Sequence, residues 1–425
     1  MAASRLLKGL ACPRCRAAFP VEARFDGCPP CGRAAPVNLV PVYDEDAQRA
    51  AFRREALADR PPTMWRYAEM LPAAAEDAVT LGEGLTPLVA AERMGARLGV
   101  PRLWLKDESR NPTWSFKDRL ASVAISMARA LGARVIGSSS SGNAGAAAAA
   151  YAARAGLPCV VLTFAGSAGA MMTQMRAYGA MVVATRDKAD RWRLLERCVR
   201  ELGWYPTTPY FGPPVGSNAF GVDGYKTLAY EIVEQLGWRA PDWCVLPVAY
   251  GDALAGMARG FEDLHRLGLI PAVPRLVAAE IYGSLAAAEK AGADTVAAVE
   301  KDHDSVAVSI GTLQSTWQAL HALRRCRGLA VRVADADLMA LQAELAAAEG
   351  VYAEPSSVAP LAAVRALRAQ GTIAGGDTVV SLVTATGLKD AEATARRAGA
   401  IPVVGGDPDT LFDTLRSVYG FTARP

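Results

Sequence analysis

From Leu103 onward the chain alternates two patterns. Short apolar runs (ARVIG, CVVLTF, MVVAT, WCVLPV, RLVAAE and TVVSLVT) are separated by segments with apolar residues at the helical period, such as AGAAAAAYAARAG and DRWRLLERCVRELG. An unbroken apolar run of this length reads as a strand buried on both faces, and strands alternating with helices over hundreds of residues build βαβ units around mostly parallel sheets. The pattern therefore predicts an α/β protein. The five alanines Ala146–Ala150 predict a buried helix starting near Ala144, because alanine has high helix propensity and lets backbones approach closely. Upstream, a charged helical stretch is expected from Asp44 to Arg60, stopped by Pro61 and Pro62.

The first 40 residues do not fit the alternation and read as a unit of their own. They carry CPRC-x12-CPPCG, with Cys12, Cys15, Cys28 and Cys31 in two tight knuckles. Four thiols so spaced match a closed tetrahedral zinc site, a structural zinc ribbon with no open position for substrate. So short a segment could not build its own core without such a staple.

Composition narrows the function. Lys and Arg number 46 against 43 Asp and Glu, a formal charge of +3, which argues against an electrostatic binder of nucleic acid or membrane. No stretch reaches the ~18 apolar residues needed to span a bilayer, and the N-terminal apolar run is too short for a signal peptide. Cys159, Cys198, Cys244 and Cys326 are scattered singly, as reduced core cysteines are. A cytoplasmic location is expected.

Four segments carry candidate chemistry. In KDESRNPTWSFKDR a polar loop leads into Phe116-Lys117-Asp118-Arg119 and an apolar-periodic helix. Ser138 to Gly145, SSSSGNAG, lies between a strand and the alanine helix, where exposed N–H groups and the helix dipole suit a carboxylate or phosphate. Ala249-Tyr250-Gly251-Asp252-Ala253 follows the strand WCVLPV and opens another helix, again an anion cradle. Asp252 is awkward beside a phosphate, so it is expected to cap the helix with its carboxylate turned away. Last, TVVSLVT ends in Thr384 before ATGLKD.

In this order, with Trp65-Arg66-Tyr67, LGEGLTPL, GYKT (Gly224–Thr227) and EGVYAEPSS, these segments resemble the fold-type II pyridoxal-phosphate enzymes, and within them the threonine synthase branch. The resemblance runs from about Trp65 to Asp390. It implies two three-layer α/β/α domains with mostly parallel sheets behind the zinc ribbon. Residues 41–110 and 220–425 would form the larger, cofactor-binding domain and residues 111–219 the smaller. It also implies that Lys117 is the catalytic lysine and carries pyridoxal 5'-phosphate through an imine, that Asn143 bonds the cofactor's 3'-oxygen, that Ala249, Tyr250, Gly251, Asp252 and Ala253 hold its phosphate, and that Thr384 meets its pyridine nitrogen. Ser140, Ser141, Gly142 and Ala144 would bind the substrate carboxylate, with Trp114 and Lys226 also facing the substrate. The implied partner is a small amino acid, and homodimers are frequent in such enzymes.

The residues agree with lyase chemistry. An imine-forming lysine must be available as a neutral amine, which burial and a nearby cation promote, and Arg119 is the expected cation. A hydroxyl at the pyridine nitrogen favours elimination over transamination. Four features depart from the branch. Trp114 and Leu120 stand where it carries glycines, Ala144 stands where it carries the threonine of GNT, Ala249–Ala253 reads AYGDA where it carries a GNAGN-like phosphate loop, and Gly221 stands where it carries an arginine that contributes to the substrate-phosphate region. The expected reaction is O-phosphohomoserine and water to threonine and phosphate. Threonine or serine dehydration, diaminopropionate ammonia release, β/γ-replacement, and a zinc-ribbon binding protein without turnover are the alternatives. For the phosphate, Lys226, Ser217 and Thr227 are the expected substitutes, and Gly221→Arg the expected way to restore phosphohomoserine activity.

Overall fold

The computed structural model describes residues 2–167 and 169–422. The N-terminal segment folds as a three-stranded antiparallel sheet of β1 (Leu7–Ala11), β2 (Ala18–Phe19) and β3 (Val40–Tyr43), in the order β2-β1-β3. Its apolar side is not self-sufficient. Leu10, Val37 and Leu39 share one buried cluster with Val123, Met127, Phe220 and Trp317 of the main body.

Two strands, β4 (Leu88–Ala90) and β5 (Arg102–Asp107), begin a large sheet that the chain then leaves. It builds a four-stranded parallel sheet from β6 (Ile136–Ser139), β7 (Cys159–Phe164), β8 (Met181–Thr185) and β9 (Tyr205–Pro206), ordered β8-β7-β6-β9. It returns with β10 (Trp243–Pro247), β11 (Arg275–Glu280), β12 (Leu329–Arg332) and β13 (Thr378–Val383). The large sheet is ordered β12-β11-β10-β13-β5-β4, parallel except for β4 against β5. Alternate residues of its central strands feed opposite faces, as the strand period of two requires. Val245, Val277 and Val379 pack under helix Pro355–Ala369, while Cys244, Leu246 and Leu276 pack under helices Lys226–Gln235 and Asp252–Arg266. In the smaller sheet's layer Ala146–Ala150 lie wholly buried in helix Asn143–Ala155, against helix Lys117–Ala130.

Five of the six apolar runs named from the sequence are strands over nearly their full length, and at ARVIG the strand is shifted forward to Ile136–Ser139. The stretch from Asp44 to Arg60 is not one helix, however. Asp44 caps a helix Glu45–Ala51, Phe52 then turns extended, and a separate 3-10 turn covers Arg54–Asp59. Phe52 and Leu57 both belong to the main core, and residues five apart point to different sides of a continuous helix. Breaking the helix lets both face inward. Ala391–Pro425 is a second compact unit with helices Ala391–Ala398 and Pro408–Tyr419.

The junction that positions the site is a buried ion cluster. Arg119, in the first turn of helix Lys117–Ala130, reaches Glu108 beyond β5 (Nε to Oε2, 2.7 Å) and Glu231 of helix Lys226–Gln235 (Nη1 to Oε1, 2.6 Å). Lys106 of β5 adds a second cation on Glu231 at 2.7 Å. All four side chains are fully buried, and their charges cancel. Burial raises the Glu231 carboxyl, but Arg119 and Lys106 outweigh it and hold the group below the usual carboxylate range. Removing the guanidinium would leave two buried carboxylates facing one lysine. Arg119→Met should therefore cost about 3–5 kcal/mol of unfolding free energy in urea titration. A loss under ~1 kcal/mol would show that the cluster holds nothing in place.

Candidate active site

Four chain segments converge on Lys117. It is the first residue of its helix, and the residues before it are stitched to the end of β13: Ser115 pairs with Ala385, and Phe116 N–H donates to Thr384 O at 2.9 Å. Lys117 is thereby carried to the carboxyl end of the large sheet, where parallel α/β folds bind ligands. Its ammonium lies 4.5 Å from the Phe116 ring centroid and 5.7 Å from that of Tyr225. Among the described residues it has no hydrogen-bond or ion-pair partner. Burial draws its pKa down, against the opposing pull of Asp252 and Glu354. Arg119, the cation expected to do this, is neutralised by Glu108 and Glu231 instead. The availability of the neutral amine thus rests on desolvation.

Thr384 directly follows the same strand and shares a hydrogen bond with Ser357, hydroxyl to hydroxyl, at 2.8 Å. Ser357 Oγ also accepts from Thr384 N–H and Ala385 N–H, so it fixes the strand end. Asn143 opens its helix and donates from Nδ2 to Glu354 Oε2 at 3.1 Å, while its Oδ1 is buried without a partner. Burial lifts the Glu354 carboxyl above its ordinary range, with the Asn143 bond and Lys389 opposing. Ser140, Ser141, Gly142 and Ala144 are half-buried and form the open rim of this helix start, between buried Ser139 and Gly145. Ser357, Glu354 and Tyr225 carry no individual signal in the sequence. They lie in the motifs EGVYAEPSS and GYKT, and nothing in the spacing says which of their polar residues turns inward.

The Ala249–Ala253 segment follows β10. Gly251 adopts φ +86°, and a Cβ there would meet the Ala319 Cβ at 2.2 Å. Only glycine turns this corner, and it leaves the first N–H groups of helix Asp252–Arg266 without intrahelical acceptors, as at any helix start. Ser315 Oγ, beside this turn, is buried and unpartnered. Asp252 does not cap its own helix. Its carboxylate accepts from Ser217 N–H (3.1 Å) and Ser217 Oγ (2.7 Å), so it is anchored to a neighbouring loop.

Buried polar atoms that lack partners are rare in folded proteins and call for a bound group. Here Asn143 Oδ1, Tyr225 OH and Ser315 Oγ, with the free Lys117 amine and a helix start shaped by an obligatory glycine, fit a phosphorylated aldehyde cofactor. A family model described as pyridoxal-phosphate dependent enzyme matches residues 79–385. The chain belongs to that family. A threonine synthase of Methanosarcina acetivorans is 33% identical over 387 residues, 90% of this chain and 92% of that one. One of Methanocaldococcus jannaschii is 31% identical over 391 residues, 91% of this chain and 94% of that one. Maize serine racemase superposes with a TM-score of 0.62 at 19% identity, covering 79% of this chain and 93% of that chain, and shares the fold. The molecule is a fold-type II pyridoxal-phosphate-dependent lyase of threonine synthase-like sequence.

Three expected substitutes for a phosphate ligand are engaged elsewhere. The Lys226 ammonium is buried between Asp263 (3.1 Å) and Asp223 (3.5 Å), over the Tyr43 ring. Ser217 serves Asp252, and Thr227 Oγ1 donates to Gly224 O at 2.6 Å while accepting from Arg119. Trp114 has a left-handed backbone, φ +66°, a conformation suited to the glycine that the resemblance places there, and its indole is about half exposed.

The departures at Leu120 and Gly221 prove to be one. A Cβ on Gly221 would lie 2.9 Å from Leu120 Cγ and 3.0 Å from Ala124 Cβ. Leu120 fills the space into which a side chain at 221 would grow, so Gly221→Arg cannot restore an arginine without displacing the Lys117 helix. Gly221→Ala should lose about 1–3 kcal/mol by overpacking, and part of that loss should return in a Leu120→Ala background. Additive losses in a denaturant-based double-mutant cycle would contradict the coupling.

Proposed function

We propose that the chain releases an oxygen-linked group from the side chain of a small amino acid, in a threonine synthase-like reaction, with O-phosphohomoserine and water giving threonine and phosphate. The observation that carries this reading is the unpartnered, desolvated Lys117 amine set between Thr384, Asn143 and the Ala249–Ala253 turn. When bound, pyridoxal phosphate would supply the electron sink that makes a substrate Cα proton removable. Lys117 would hold it covalently, Asn143 would bond its 3'-oxygen, and the Ala249–Ala253 backbone would take its phosphate.

The chain's own residues do the rest. The open rim at Ser140, Ser141, Gly142 and Ala144 offers N–H groups and hydroxyls to the substrate carboxylate and orients Cα. The Lys117 amine, whose pKa burial lowers, would be the base that takes the Cα proton and the acid that returns one further along the side chain. Thr384, backed by Ser357, offers the cofactor ring nitrogen a neutral hydroxyl. Among the described residues no carboxylate bonds that pair of hydroxyls, so they would not enforce a protonated ring, which directs the chemistry to elimination.

A second reading is favoured by one observation: Leu120 occupies the space beside Gly221. A smaller, unphosphorylated amino acid, dehydrated or deaminated, would fit a pocket without that arginine. A substrate panel scored for phosphate, ammonia and 2-oxoacid release separates them. Phosphate and threonine from O-phosphohomoserine are expected; 2-oxoacid from threonine or serine alone would replace the first reading with the second.

The four N-terminal cysteines would hold a structural zinc ion. Their Sγ atoms all lie within 4.8 Å of one another, with Cys15 to Cys28 at 3.4 Å and Cys12 to Cys31 at 3.6 Å. Thiolates around a tetrahedral zinc ion would sit about 3.8 Å apart. Metal analysis should give one zinc per chain and none in Cys12→Ser/Cys28→Ser. Because the ribbon shares its apolar cluster with helix Lys117–Ala130, the variant should also unfold at a lower temperature. Unchanged zinc content would refute the ligand set.

A further inference from the structure

Helix Asp190–Leu202 carries four arginines. Three are paired with acids: Arg193 with Asp190, Arg197 with Glu201, and Arg200 with Glu196 and Asp26. Arg191, in the first turn, is not. Its Nε is buried without a hydrogen-bond partner, and among the described residues no carboxylate pairs with its guanidinium. Lys188, three residues earlier, is likewise unpaired. The two cations stand over the same ring, each 5.5 Å from the centroid of Phe164. Burial pulls both below their usual pKa, and for Lys188 the neighbouring charges of Arg191 and Lys301 add to the effect. Two like charges brought together and partly dehydrated with no counter-ion are costly, and a bound anion would relieve the cost.

Their place in the fold says which anion could reach them. Phe164 is the last residue of β7, and Lys188 follows β8 by three residues. Both therefore lie at the carboxyl end of the smaller sheet, as does the Ser140 rim after β6. From the other side comes Tyr250 of the turn after β10: its ring is 6.2 Å from that of Trp192, next to Arg191. The cations thus adjoin the site but lie beyond the residues assigned to the cofactor and the substrate carboxylate. Within the site itself Lys226, Ser217 and Thr227 are engaged, and position 221 is filled by Leu120.

We propose that Lys188 and Arg191, over Phe164 and beside Tyr250, form an anion subsite that receives the phosphoryl group at the far end of the substrate. The inference rests on the lyase reading above and deepens it, since it names where a phosphorylated side chain is held. Arginine supplies a planar fork to two phosphoryl oxygens and lysine a point charge to the third, and Phe164 gives both an apolar floor.

A phosphoryl group near Tyr250 could belong to the substrate or to the cofactor, and binding of inorganic phosphate to the holoenzyme distinguishes them, because there the cofactor's own phosphate site is filled. Calorimetric titration at low ionic strength should show one phosphate per chain. Lys188→Ala/Arg191→Ala should weaken it at least tenfold, in keeping with the loss of charge-assisted bonds. Arg193→Ala/Arg197→Ala, the same loss of two positive charges but at arginines already paired with acids, should stay within about twofold. Two results would overturn the proposal: no phosphate binding to the unmodified holoenzyme, or binding that survives the double substitution. A double variant that loses cofactor affinity instead, while the unmodified holoenzyme binds no phosphate, would assign the cations to the cofactor and equally overturn it. The measurement needs no turnover. Phosphate binding that depends on Lys188 and Arg191 in a protein inactive on O-phosphohomoserine would remove the reaction and leave the subsite.

Discussion

The pairing of Arg119 with Glu108 and Glu231 is the constraint from which the rest of the site follows. It joins the first turn of the Lys117 helix to the end of β5 and to helix Lys226–Gln235, in surroundings where none of these charges could remain alone. Arg119 sits two residues from Lys117, so the cluster decides where the amine starts. The bridge from Ser115 to Ala385 and the bond from Phe116 to Thr384 then aim it at the end of β13. Glu108 is further tied to Thr86 and Asn111, and Glu83 to Trp65, Tyr151 and Thr80. The motifs GEGLTP and KDES-NPT-SFKDR are therefore largely a buried scaffold around one lysine. That is a physical reason for so many charged residues in a segment that ends up inside.

The same economy explains the departures. Trp114 retains a backbone turn suited to glycine, while Leu120 and Gly221 exchange bulk across one helix contact. The ammonium of Lys226 is absorbed by Asp223 and Asp263, which with Arg259 and Tyr43 tie the N-terminal sheet to helix Asp252–Arg266. Positive charge for a substrate phosphate would have to come from outside this packed interior, and among the described residues Lys188 and Arg191, over the Phe164 ring, are cations without an acidic partner.

The fold was legible because its signals are long. Six apolar runs and two strongly periodic helices fixed the alternation, and the paired cysteines marked the ribbon. Strands β4, β9 and β12 left no trace because two to four residues carry no period. Of the candidate site, the placing of Lys117, Asn143, Gly251 and Thr384 at the ends of strands and starts of helices was readable from loop-to-helix junctions and from the family likeness. The inward turn of Ser357 and Glu354, the anchoring of Asp252 to Ser217, and the neutralisation of Arg119 were not. Each depends on a partner more than ten residues away, and a residue type does not announce its partner. Lys226 failed for the same reason: a lysine at a motif position looks available until the carboxylates around it are seen.

The central claim is that Lys117 alone carries the cofactor. Borohydride reduction of the holoenzyme followed by peptide mapping tests it directly. The account predicts a pyridoxyl group on the peptide containing Lys117, and none on those containing Lys106 or Lys226, whose ammonium groups are already paired with buried carboxylates. Labelling of Lys106 or Lys226, or an unlabelled Lys117 in protein that still absorbs as a cofactor imine, would contradict it.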